Sequence, residues 1–262
     1  MLEPLRHQGN HGTIIDPHRS IATVRLTRVD VLLAAALAIA ASVALIMNLG
    51  TIGKLWTWIY VRLAGPLGFA GGVGQRAFET PLAADFTVPY FNTSAPMPSE
   101  SVWWVALVVT ALVLLVSFVL PPSWLPFAYL LRLVVLVQST ALAFFRVAPS
   151  RFPYDLPQYM SAMLAAGMAV LLVIPVLLAL TFYVIDVGML RKILLTVVML
   201  GHLLVFIPLQ YAVHAWLVLH GTLLLLPVLF MLFGLLPEVM VLIGLYGWGM
   251  SWRAQRARTR RE

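Results

Sequence analysis

The run from Leu190 to Met250 constrains the chain more than any other feature. Its charged residues are Arg191 and Lys192 at the start and Glu238 near the end, with His202, His214 and His220 between them. Water-soluble domains do not stay so apolar over such a length. The run predicts two long membrane helices, and the remaining chain has to be threaded to fit them.

Composition agrees. The 262 residues are 61% hydrophobic and 10% charged, with a mean hydropathy of +0.95. Soluble domains carry about 25% charged residues. The expected fold class is therefore all-α: a polytopic membrane protein of six transmembrane helices, with an interfacial helix and a proline-rich outer segment between the first two spans. One membrane domain uses up the chain. It divides into a polar cytoplasmic tail (1–29), a transmembrane domain (30–250, with 51–101 extracytoplasmic) and a basic cytoplasmic tail (251–262).

There is no cysteine, which excludes disulfides, thiolate metal sites, iron–sulfur clusters and c-type haem attachment. The net charge of +7 would suggest nucleic acid in a soluble protein. No nucleic-acid-binding motif accompanies it, so the positive residues read as topology signals.

The first span is Val31 to Leu49, a retained signal anchor after a long polar leader. Lys54 to Ala64 carries Trp56, Trp58 and Tyr60 among aliphatics and reads as an interfacial helix ended by Gly65-Pro66. Gly71 to Gly74 reads as a flexible link. Thr80 to Ser99, with Pro81, Pro89, Pro96 and Pro98 among Phe86, Tyr90 and Phe91, reads as an irregular loop packed on the helix ends. Val102 to Leu120 is the second span, and the third runs from about Trp124 to Phe145 with Pro126 in its first turn. Asp155 is placed to cap the fourth, which ends near Ile185 and Asp186 and carries Pro175 as a kink. The fifth is Ile193 to Tyr211. The sixth, from about Trp216 to Trp248, exceeds what a span needs and must tilt, kink at Pro227 or Pro237, or protrude.

Lys/Arg placement orients the chain. Arg6, Arg19, Arg25, Arg28, Arg191, Lys192 and the closing arginines fall on one side; Lys54, Arg62, Arg76, Arg146 and Arg151 fall on the other. The first set marks the cytoplasm, so both termini lie there. The Arg-, Leu- and Ala-rich composition points to a bacterial inner membrane.

No His-Glu-x-x-His, Gly-x-Ser-x-Gly, Walker or dinucleotide motif occurs. Intramembrane ionisable residues are the lead, because they are costly in lipid and commonly functional. Arg132 reads either as a binding site for an anionic group or as a structural partner or snorkelling side chain. His202 reads as a haem ligand, proton carrier or quinone partner, or simply as a histidine hydrogen-bonded between helices. Asp155, His214 and His220 are candidates for an outer-face metal or substrate site; solvated or capping roles are the alternative. Gln138 can hydrogen-bond across helices. Counting residues along the spans puts Arg132, His202 and Glu238 near one depth. They form, with Gln138, an expected polar cluster in which Arg132 pairs with Glu238.

No metal and no cofactor is expected. The spacing of His7, His11 and His18 is irregular, and the depths of the other histidines match poorly for bis-His haem. Three functional readings follow. The first is a non-catalytic inner-membrane subunit or accessory protein of a cell-envelope assembly, with the bilayer and membrane-protein subunits as partners. The second is a transporter or lipid-handling protein using Arg132. The third is a redox or enzymatic subunit using His202.

Overall fold

The computed structural model describes residues 28–79, 85–182 and 188–259, and the side chains of all of these except 30 and 252–259. The polar leader with its three histidines, Pro81, Asp186 and the last three residues lie outside the described residues.

The chain is a polytopic membrane protein built from helices and one small hairpin. In order, the elements are α1 (Arg28–Met47), α2 (Leu49–Ala64), β1 (Val73–Phe78), β2 (Phe86–Phe91), α3 (Glu100–Val119), α4 (Leu125–Val147), α5 (Leu156–Thr181), α6 (Met189–His220), α7 (Leu226–Phe233) and α8 (Leu236–Thr259). Among the described residues five helical stretches are long and apolar enough to cross a bilayer. A sixth crossing results if α1 and α2 count as one span bent by 61°.

Helix α2 shows why the core sits where it does. Its buried residues Leu49, Ile52, Gly53, Trp56 and Tyr60 recur at intervals of three and four, the period of one helix face. That face packs on α6 and on the hairpin. Trp58 and Val61 point outward. The Trp56 indole donates to the Leu204 carbonyl of α6 at 2.9 Å. This carbonyl would ordinarily accept from residue 208. Pro208 has no N–H to give, so the proline orphans the carbonyl and the tryptophan satisfies it.

The segment expected to be a flexible link followed by an irregular loop is instead an antiparallel hairpin, with Val73 opposite Phe91 and Phe78 opposite Phe86. Aromatic and β-branched residues dominate β2, and Phe86, Val88 and Phe91 are buried against the helices. Pro89 is tolerated because a two-stranded ribbon consists only of edge strands. Phe91 stacks between Tyr60 and Phe69. Arg76 ties the hairpin to α5 by donating to Ser161 Oγ at 2.9 Å. At Gly71 a Cβ would collide with the Asn92 carbonyl, so glycine there serves close approach as well as freedom.

Several local expectations hold. Asp155 Oδ1 accepts from the Gln158 amide at 2.7 Å and caps α5, and Pro126 lies in the first turn of α4. Other boundaries move. Helix α6 does not stop at Tyr211; nothing breaks it before Gly221, and it runs 32 residues, about 48 Å at 1.5 Å per residue. The last span begins only at Leu223 and is interrupted at Gly234, three residues before Pro237. Helices α5 and α6 approach closely at Gly167, where a Cβ would meet the Ile207 side chain, as small residues allow in membrane bundles. Helices α3 and α4 pair as a hairpin that meets the rest chiefly through α7 and the turn before it.

Candidate functional site

The break between α7 and α8 has a defined cause. Pro237 cannot donate to the Phe233 carbonyl, so that oxygen is orphaned. Gln210, inside α6, donates its amide to the Phe233 carbonyl at 2.7 Å and also to that of Gly234. His214, one turn further along α6, faces the same Phe233 carbonyl. Its Nδ1 shares a 2.9 Å hydrogen bond with the Tyr159 hydroxyl of α5.

Glu238 stands in the first turn of α8, where the helix dipole favours a negative group. It is fully buried, and neither carboxyl oxygen has a hydrogen-bond partner. The Tyr211 hydroxyl faces the carboxyl at the margin of hydrogen-bond reach, without a bond of ordinary geometry. Tyr211 in turn neighbours Tyr159 and Tyr60. The Tyr60 hydroxyl and Gln210 Oε1 are also buried without partners. A string of polar groups thus runs from α2 through α5 and α6 to the break. It contains three unpartnered acceptor oxygens, on Gln210 and Glu238, and two unpartnered hydroxyls. Buried polar groups are ordinarily satisfied. Buried carboxyl and amide oxygens beside a helix break can hold a proton or a cation.

Of the expected cluster, only Glu238 belongs to this site. The expected Arg132–Glu238 pair does not form. Arg132 lies on α4 and turns to the end of α3, donating to Ser117 Oγ at 3.4 Å and to the Ser117 carbonyl at 3.3 Å. Its guanidinium covers the Phe118 ring at 4.5 Å and the Tyr129 ring at 5.5 Å. Residue 117 is in the last turn of α3, whose carbonyls lack helical donors and attract cations. Gln138, also on α4, lines a cavity of about 390 Å³ between the α3–α4 hairpin and the turn after α6. His202 is half-buried on α6 and stacks on Phe206; its Nε2 is buried without a partner.

The outer-face trio is not brought together as a site either. Asp155 is a helix cap, His220 bonds the Trp216 carbonyl at 3.0 Å, and His214 sits in the core. Because α6 continues to His220, His214 is a helix residue rather than a turn residue. Among the described residues no group of three or more His, Asp or Glu is arranged to hold a metal ion.

Nothing in the sequence assigns Tyr60, Tyr159, Gln210 and Tyr211 to one site. A usable signal was present: a proline inside a membrane helix frees the carbonyl four residues back, and a polar residue must come to it. Comparison with protein-family profiles, with curated proteins and with solved structures returns no match.

Proposed function

We propose that this multi-pass protein is a membrane carrier that binds a proton or cation at Glu238 and couples it to movement of the broken α7–α8 span. The observation that carries this reading is the Glu238 carboxyl, fully buried without an ion-pair partner among the described residues, faced by the Tyr211 hydroxyl and beside the break between α7 and α8. An unpaired charge at membrane depth costs about 2.5–3.5 kcal/mol on insertion scales. Such a group is retained where its proton or counter-ion exchanges. Interrupted membrane helices are where carriers place their ion sites. The test is purified protein in sealed vesicles, with uptake of radioactive sodium or rubidium and of protons, read by an internal pH dye. The wild type should move one of them and Glu238→Gln should not. Flux of none of them, or equal flux in the variant, overturns the reading.

The accessory-subunit reading has its own support. Only 11% of the apolar stretch of α3 is buried within the protein, and Trp104, Val108, Leu112 and Leu115 face outward, offering a face for lipid or for a partner helix. Co-purification of a stoichiometric membrane subunit that protects this face from lipid-soluble labels would favour it. The Lys/Arg distribution supports cytoplasmic termini in a bacterial inner membrane. A reporter fused after Arg261 should be active only in its cytoplasmic form.

A further inference from the structure

A cavity of about 540 Å³ lies between α5, α6 and α8, within the range of small-ligand sites. Its rim residues Val173, Leu177 and Ile243 are exposed, and its floor residues Met199 and Ile174 are buried. A rim of exposed aliphatic side chains on membrane helices faces acyl chains, so the cavity opens sideways into the bilayer. Its walls are almost wholly apolar. Among the described residues Glu238 is the one ionisable carboxyl in them, and no Lys, Arg or His lines them.

From this juxtaposition we infer that the carrier exchanges its proton or small cation at Glu238 for a hydrophobic monocation: an apolar body bearing one positive charge, taken from the bilayer and neutralised by Glu238. The inference rests on the proposed role of Glu238 and adds the identity of what it binds. The cavity supplies apolar contact for the body of the ligand. A carboxylate in walls that hold no Lys, Arg or His among the described residues repels anionic head groups and attracts cationic ones, and the low dielectric strengthens both effects. Because the carboxyl is closed off behind the wall, binding turns the Glu238 side chain toward the cavity.

Equal-shaped ions of opposite charge test this. Tetraphenylphosphonium and tetraphenylborate are titrated against the full chain in nanodiscs of zwitterionic lipid, with empty discs subtracted. Tetraphenylphosphonium should bind saturably and tetraphenylborate should not. Glu238→Gln should weaken binding by about tenfold or more, the scale of removing one partner of a buried charge pair. Val173→Trp, which fills the cavity and leaves the carboxyl in place, should weaken it similarly. Glu238→Asp, which keeps the charge, should retain measurable binding and so controls for misfolding. No saturable binding, equal binding of both ions, or affinity indifferent to Glu238→Gln overturns the inference. If proton or sodium flux is lost in Glu238→Gln while tetraphenylphosphonium never binds, the substrate class is wrong and the carrier reading stands. If neither flux nor binding responds, both fall.

Discussion

Arg132 and Glu238 present the same signal in the sequence, a single charge in a long apolar helix, and the fold treats them in opposite ways. Arg132 belongs to the α3–α4 hairpin, is half-buried, bonds a helix-end carbonyl and lies over two aromatic rings. Glu238 belongs to the packed α5–α6–α8 region, is fully buried, and has no ion-pair partner among the described residues and no hydrogen bond of ordinary geometry. The hairpin uses its charge to finish a helix. The core leaves its charge open. Intramembrane charge is therefore a lead to function only after its partners have been counted.

The largest contrast should be in packing. Trp56 is fully buried and satisfies the carbonyl that Pro208 orphans. Trp56→Ala should destabilise by about 3–5 kcal/mol. Trp104→Ala on exposed α3 should stay within about 0.5 kcal/mol. Reversible unfolding in mixed micelles reads both, and equal losses would erase the distinction between the regions.

Next come the two charges themselves. Replacing an unsatisfied buried polar group by an apolar one of similar shape removes its desolvation penalty, so Glu238→Met should stabilise by about 1–3 kcal/mol. Arg132→Gln breaks a charge-assisted bond at a half-buried site and should destabilise by about 1 kcal/mol. Opposite signs are the result to look for. The double variant should be additive within about 0.5 kcal/mol, as for residues with no shared partner. A larger coupling would mean that the two charges communicate after all.

The smallest effect separates the tyrosines. Tyr159→Phe loses the bond to His214 and should cost about 1 kcal/mol. Tyr60→Phe removes a hydroxyl without a partner, and Tyr211→Phe one that faces the Glu238 carboxyl without a bond of ordinary geometry; both should be neutral or slightly stabilising. A clear loss in either would reveal a partner, such as ordered water.

The membrane helices were legible because their signal is summed over twenty or more residues, and the Asp155 cap and the first-turn Pro126 were legible because they act within one turn. The candidate site was not, except for Glu238. Its other members come from α2, α5 and α6, and only tertiary packing brings them to the break. Depth counting placed Arg132 level with Glu238 but could not say which helix it faces. The return of the chain after Pro121-Pro122 sets residue 132 beside Ser117 instead. Tyr60 read as an interfacial residue because its neighbours Trp56 and Trp58 are belt residues by type. The bend after Met47 carries α2 onto α6 and buries it. The hairpin was missed because Pro89 weighs against a strand in any local reading.

The most direct measurement is cation or proton flux in vesicles for Glu238→Gln and Arg132→Gln side by side, with thermal unfolding on the same preparations. Groups kept for function rather than stability should trade one for the other. The account predicts that Glu238→Gln loses flux without losing stability, and that Arg132→Gln loses stability while the flux per folded molecule stays within about twofold, roughly 0.4 kcal/mol. Flux that survives Glu238→Gln, or that disappears equally in both variants, would contradict it.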